Sequence, residues 1–385
     1  MRTNPLFFSL VLIFLAGFCL RPGITSIAPT TTDIQQHFTA SDATIGLLTT
    51  IPVICMGLLS PLAYLLQRRI NLKRTLLLGL LSVFIGEAIR LIPQWIALLL
   101  FSALLIGIGD ALVRPLLSGF IKARCSTHSR LAVSIYATSI GVGSSCAAIF
   151  TTAIGQFFNG YHFGLSIWAL PTLMCLLSFA LFTNNSEKPA QTITLRQAPS
   201  RLTTVALVLL FGLQSGLNYS ISAWLPKWLI AQGTARSAAE QYTFLFIIGA
   251  TLTSLCYPLL VRICRNLSHD TALVASACLL LGLIAYMVKI PFWFSIIMTS
   301  IGIGILFPLV LELPVILTAN SAQAVKLSGM VQTAGYILGG SVPTLVGWIS
   351  SHREIITALN LTVAVMISAI TILSVWLSVR ITKQP

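Results

Sequence analysis

The chain has 385 residues, of which 56% are apolar and only 8% charged, and its mean hydropathy is +0.92. A soluble domain carries roughly a quarter charged residues, so too few polar side chains remain here to cover a water-facing surface. This excludes a soluble enzyme and leaves lipid as the main solvent. The net charge of +14 does not indicate nucleic acid, because the basic residues stand in short segments between apolar runs, where they set topology.

A helix crosses the hydrocarbon core with roughly 20 residues. Twelve spans are predicted, at 6–28, 43–66, 75–92, 95–121, 131–154, 164–182, 202–229, 240–261, 271–289, 292–318, 326–350 and 355–380. Arg2 followed by Leu6–Leu20 has the outline of a signal peptide. The apolar run, however, continues past Arg21 without an A-x-A site, so it reads as a retained first span. Within it, Arg21 precedes Pro22-Gly23, which loosens the helix. The second span closes on Ser60-Pro61-Leu62 before a basic loop. The third carries Glu87 and Arg90, and the fourth carries Gly107-Ile108-Gly109, Asp110 and Arg114. A polar stretch with two prolines follows the sixth span. The second set brings Gln214, Ser215, Asn218 and Tyr219 in span 7, Glu312 in span 10, and Gln332 and Tyr336 in span 11. The expected fold is an all-α membrane protein of two pseudo-symmetric six-helix halves, 1–183 and 202–385, joined by a cytoplasmic linker at 184–201.

Orientation follows from the basic residues. With the N-terminus in the cytoplasm, 16 of the 23 Lys and Arg fall on the cytoplasmic side. Only Lys227, Arg236, Lys289 and Arg353 fall outside, and three arginines lie within spans. Both termini are therefore expected inside. Trp95, Trp224, Trp228, Trp293 and Trp348 are placed near the outer interface, as an aromatic belt. Eight cysteines lack C-x-x-C spacing and read as small hydrophobes, and five histidines sit in loops or at helix ends. Neither set suggests a metal or another cofactor.

Internal duplication is suggested by landmarks at a nearly constant offset. Pro29 and Pro226 are 197 apart, as are Ser60-Pro61-Leu62 and Tyr257-Pro258-Leu259, while Gly107-Ile108-Gly109 and Gly302-Ile303-Gly304 are 195 apart. Two repeated halves imply a cavity and alternating access.

Charges at membrane depth are functional candidates by default. Arg21 is either an anion or polar-substrate hook or an interfacial arginine. Glu87 and Arg90, three apart, are expected to neutralise each other in a structural or secondary role. Asp110 and Arg114, four apart, can self-neutralise, or Asp110 can couple to protons. Glu312, between Pro308 and Pro314 without a local cation, is either protonated or paired across helices, with coupling or gating as its functional reading. Gln214, Asn218, Gln332 and Tyr336 are candidates to complete a substrate site. The spacings Gly212-x-x-x-Gly216 and Gly335-x-x-x-Gly339 mark close helix packing.

Several strings carry a family resemblance: Leu20-Arg21-Pro22 with Thr25 and Ala28-Pro29, Ile45 to Pro52, Ala88-Ile89-Arg90 with Pro93, Gly119-Phe120-Ile121-Lys122, Ala223-Trp224-Leu225-Pro226, Phe307-Pro308-Leu309, and Gln332 with Gly335-Tyr336. They run through nearly the whole chain. The sequence resembles the major facilitator superfamily, and within it the branch of cyanate and 2-nitroimidazole transporters. The loop after span 2, Arg68-Arg69-Ile70-Asn71-Leu72-Lys73-Arg74, lacks the acid and the glycine of the superfamily's loop motif. The resemblance implies a monomeric secondary transporter of the bacterial inner membrane, moving a small anionic or polar solute by symport or antiport. The proton is the expected coupling ion. Competing readings are a drug or metabolite efflux transporter of the same fold, a membrane sensor, or an embedded enzyme. No catalytic cluster or soluble output module supports the last two.

Overall fold

The computed structural model describes residues 5–40, 42–92, 94–183, 199–264 and 268–381. Residues 184–198 of the expected linker lie outside them, as do Pro93, Arg2, Lys188, Arg196, Arg265 and Lys383. Among the described residues every regular element is helical. In chain order they are α1 (Pro5–Cys19), α2 (Pro22–Thr25), a 3-10 turn (Ala28–Thr30), α3 (Thr31–Phe38), α4 (Asp42–Ile70), α5 (Leu72–Ile89) and α6 (Ile96–Arg124). Then come a second 3-10 turn (Ser126–His128), α7 (Ser129–Phe157), α8 (Tyr161–Ser166), α9 (Ala169–Phe182), α10 (Arg201–Ala231) and α11 (Arg236–Ile263). The chain closes with α12 (Ser268–Met287), α13 (Phe292–Ile316), α14 (Ser321–His352) and α15 (Ile355–Ile381).

Long helices are the solution that lipid imposes, because they satisfy every backbone group within the segment. Large apolar side chains on their outer faces, such as Phe157, Leu181, Met287 and Ile372, remain exposed, as lipid-facing positions should. Ten stretches of the described residues are long and apolar enough to cross a membrane. Helices α5 and α14 are not among them. The first carries Lys73, Arg74 and Glu87 within 18 residues, and the second is rich in Gly, Ser, Thr and Gln. Three helix starts are capped by side chains: Asn71 Oδ1 accepts from Arg74 N at 2.9 Å, Ser200 Oγ from Thr203 N at 3.2 Å and Asn320 Oδ1 from Gln323 N at 2.9 Å. Lys73 Nζ donates to the carbonyls of Ala180, at 2.8 Å, and Thr183. A basic residue thereby meets the negative end of α9.

The chain divides into two compact units, Met1–Ala198 with Pro314–Thr333, and Pro199–Leu313 with Ala334–Pro385. In the first, α5 and α6 meet where a Cβ added to Gly109 would stand 2.5 Å from the Gly79 carbonyl oxygen. In the second, the two predicted glycine pairs face each other. A Cβ at Gly339 would stand 2.9 Å from Gly212 O and 2.9 Å from Gly216 N.

The glycine contacts also fix the internal repeat. Gly86 abuts Ser102 O and Ile106, and Gly282 abuts Ser295 O and Thr299. Gly109 abuts Gly79 O and Val83, and Gly302 abuts Ala275 O and Leu279. The offset is therefore 196 between α5 and α12 (86 to 282) and 193 between α6 and α13 (109 to 302). Pro115-Leu116 and Pro308-Leu309 fall in register at the same 193. The 195 offset expected from the two Gly-Ile-Gly strings is thus corrected, because those strings do not occupy equivalent places. The α12–α13 connection, residues 288–291, is shorter than the α5–α6 connection, residues 90–95.

Candidate functional site

In the first unit, the predicted weakness of span 1 is a break. Helix α1 ends at Cys19, and Pro22 restarts the chain as α2, with Arg21 as its N-cap residue at φ −108°, ψ −36°. Proline suits a first helical position because it has no N–H to leave unsatisfied. The Arg21 carbonyl accepts from Ile24 N and Thr25 N at 3.0 Å and from Thr25 Oγ1 at 2.9 Å. The half-buried Arg21 side chain thus projects from the turn between α1 and α2, and its charge acts on Asp110.

Asp110 and Arg114 form the bidentate pair that their spacing allows. Arg114 Nε donates to Asp110 Oδ1 at 2.6 Å and Nη2 to Oδ2 at 3.0 Å, with both side chains buried. One turn of i,i+4 geometry, with the donors of a planar fork on both carboxylate oxygens, neutralises the charges locally. One turn further along α6, Ser118 Oγ lies 2.9 Å from Ser328 Oγ, which accepts from Gln332 Nε2 at 2.9 Å. Gln332 is therefore tied by a serine relay to the helix of Asp110, and its buried Oε1 has no hydrogen-bond partner among the described residues.

Glu87 and Arg90 are buried, but they do not make the ion pair expected of them. Arg90 follows the last residue of α5, and its side chain is drawn to other elements. Its Nε donates to Ser102 Oγ of α6 at 3.0 Å and its Nη1 to Ser26 Oγ at 3.4 Å. Glu87 Oε2 instead accepts from Thr172 Oγ1 of α9 at 2.7 Å.

In the second unit, Glu312 is buried and paired across helices. Tyr257 donates its hydroxyl to Glu312 Oε2. Tyr257 stands in α11 just before Pro258, and Ser254 one turn earlier donates to Gly304 O at 2.8 Å, holding α11 against α13. Gln214 is buried beside Ser215, whose Oγ lies 3.4 Å from Gln214 Oε1. Asn218 is half-buried on the next turn of α10. Tyr336 is buried with its ring edge-on to Phe211, centroids 5.0 Å apart. Trp228, expected in an outer aromatic belt, is instead buried. Its Nε1 donates to Asn360 Oδ1 at 3.1 Å and its ring packs on Tyr286 and Phe292. Trp95, Trp293 and Trp348 are exposed, as that belt requires.

Sequence reasoning missed four partners: Tyr257, Thr172, Ser102 and Ser26. A tyrosine just before a mid-span proline was a usable signal for the first; the other three are ordinary hydroxyls with no local mark. It also missed the cavities, among them two with polar side chains in their lining. One, of about 620 Å³, lies in the first unit between α3 and the end of α7 and is lined by Asp33, Gln36, His37, Gln156 and Tyr161. The other, of about 80 Å³, lies in the second unit and is lined by Leu283, Tyr286, Ser295 and Asn360. No group of three or more His, Cys, Asp or Glu side chains among the described residues is placed to hold a metal ion.

Residues 13–342 of this run of long helices match the model of the Major Facilitator Superfamily. The chain belongs to that superfamily. It is 27% identical over 347 residues to the cyanate transport protein CynX of Escherichia coli, covering 89% of this chain and 90% of that one. It is 32% identical over 351 residues to the 2-nitroimidazole transporter of Escherichia coli, covering 87% and 86%. It is also 31% identical over 345 residues to the transporter YycB of Bacillus subtilis, covering 88% and 85%. These relatives place it in the CynX and 2-nitroimidazole branch, among transporters and not enzymes. The fold is that of the Escherichia coli fucose:proton symporter FucP, with a TM-score of 0.74 at 17% identity over 95% of this chain and 98% of that one. The human organic anion transporter MFSD10 gives a TM-score of 0.78 at 13% identity, covering 97% and 100%.

Proposed function

We propose that the protein is a proton-linked secondary transporter of the bacterial inner membrane. It moves a small anionic or polar solute of cyanate-like, nitroimidazole-like or short organic anion type by alternating access. It acts as a monomer in the bilayer with twelve spans, α5 and α14 included, two six-helix halves at 1–183 and 202–385, and both termini cytoplasmic. The observation that carries the reading is Arg21. A guanidinium at the joint of a broken span can meet a planar anion or a polar heterocycle with two parallel donors, without a helical turn in the way. Gln332 is the neutral polar candidate in the unit of Arg21, and Gln214, Asn218 and Tyr336 are the candidates of the second unit. Asp110, with Arg114 as its counter-ion, and Glu312, with Tyr257, carry coupling and gating. CynX and the 2-nitroimidazole transporter motivate the choice of solutes.

The test is a thermal-shift series on the detergent-purified protein with cyanate, 2-nitroimidazole and short carboxylates, run beside Arg21→Ala. A compound that raises the melting temperature of the parent and leaves Arg21→Ala unmoved supports the assignment. A compound that stabilises both equally removes Arg21 from the substrate site.

A further inference from the structure

The internal repeat gives the Glu87 and Arg90 cluster a control within the same molecule. By the glycine register, Glu87 corresponds to Leu283, Arg90 to Tyr286 and Ser102 to Ser295. In the second unit that place holds no charge. It is the small cavity of about 80 Å³, where Asn360 bridges Trp228 and Tyr286 and the Ser295 hydroxyl has no hydrogen-bond partner among the described residues. The helix corresponding to span 1, α10, runs unbroken through 31 residues. The fold therefore does not need a buried acid and base at this position. The first unit has them only where its first span is broken.

Both charges lie against the broken segment, and Arg90 bonds to it. A Cβ added to Gly23 would stand 3.3 Å from Glu87 Oε1, and Arg90 reaches Ser26 at the other end of α2. Arg21 is the residue on which this four-residue helix begins. Glu87 is fully buried, yet it has a single hydrogen bond, from Thr172. Its Oε1 and the Arg90 Nη2 both lack hydrogen-bond partners among the described residues. Besides Arg90, the ionisable group that feels the charge of Glu87 is the Cys19 thiol at the end of α1, which sits against Cys175 of α9. Helix α6 contributes the Ser102 hydroxyl and apolar Ile106, and α2 contributes backbone at Gly23. A carboxyl and a guanidinium held near each other but not in contact have two arrangements. With Glu87 ionised, it draws Arg90 toward it and away from Ser26. With Glu87 neutral, Arg90 stays on Ser26 and Ser102.

We infer that Glu87 is a proton-binding residue of the transport cycle, whose charge is passed through Arg90 and the Pro22–Ser26 segment to the position of Arg21. This rests on the proton-linked reading above and adds a site to it. Glu87 takes a proton on one of its carboxylate oxygens and returns it to solvent in the other half of the cycle. Arg90 acts as a positioning residue and does not itself bind the solute.

The test uses the full-length protein in proteoliposomes, with 2-nitroimidazole and cyanate as probes, measuring both probe exchange and uptake driven by an imposed pH gradient. In Glu87→Gln, exchange is expected to persist, while gradient-driven accumulation falls at least tenfold. Gradient-driven accumulation at the parent level in Glu87→Gln overturns the inference and leaves proton linkage intact. A parent protein whose uptake ignores the gradient overturns the proton-linked reading, and the inference falls with it. Thr172→Val removes only the hydroxyl on Glu87, so it serves where Glu87→Gln fails to fold. It should move the midpoint of the pH–rate profile by on the order of one pH unit, and an unmoved midpoint sinks the assignment. If neither probe is carried, the melting temperature as a function of pH decides. A pH-dependent step present in the parent and absent in Glu87→Gln supports the site, and the same step in both overturns it.

Discussion

Replacing Arg114 with methionine separates the two roles open to the Asp110–Arg114 pair. Both members are buried, and the two bonds of 2.6 and 3.0 Å use both carboxylate oxygens. Methionine keeps much of the volume and removes the charge, so Asp110 is left in the interior of the unit with only the field of Arg21 to offset it. Removing one partner of a buried pair costs ~3–5 kcal/mol, whereas replacing both by apolar residues of similar volume is often neutral. Arg114→Met should therefore lower the apparent melting temperature by several degrees, and Asp110→Leu with Arg114→Met should recover most of the loss. The assay is the fraction of monodisperse protein left by size-exclusion chromatography after heating in one detergent. If Arg114→Met melts with the parent, Asp110 is not held by Arg114 and the reasoning is refuted. A double variant that regains stability but carries no gradient-driven probe assigns the pair to coupling as well as to packing.

Tyr257→Phe removes the hydroxyl from the buried Glu312 carboxyl, and leaving a buried acceptor unsatisfied costs about 1–3 kcal/mol. It should lower stability measurably and alter the pH–rate profile. A profile and melting temperature equal to the parent's would release Glu312 from this pairing. Gly339→Leu forces a side chain into a seam where even a Cβ stands 2.8 Å from Ser215 Cβ. Overpacking of this kind costs about 1–3 kcal/mol, and the loss should appear as a lower melting temperature without a change in probe affinity. An unchanged melting temperature would mean that the seam opens freely.

Ten spans were legible because lipid dictates both their length and their composition, and the break at Arg21 because Pro22 cannot continue the helix before it. The seam between α10 and α14 was legible for a similar reason, since two small residues a turn apart matter only where another backbone approaches. Contacts between distant helices were not legible. Glu312 was seen as lacking a local cation, but nothing in the chain pointed to Tyr257, 55 residues away. Spacing misled for Glu87 and Arg90. The i,i+3 rule says only that two side chains share a face, whereas Arg90, at the C-cap of α5, finds serines on two other elements and Glu87 a threonine on a third. The Gly-Ile-Gly strings misled for a different reason. Glycine is frequent wherever membrane helices touch, so identical strings can face different neighbours, and only the contacts set the register.

The α10–α14 seam has a practical consequence for following the transport cycle. With Gly212, Gly216, Gly335 and Gly339 in backbone contact, the two helices leave no room to slide or tilt against each other without breaking their closest contacts. A pair of spin labels or fluorophores placed on the lipid side of these helices should report one constant separation at every stage of turnover. That pair is an internal ruler, against which distance changes measured anywhere else in the molecule can be calibrated in the same sample.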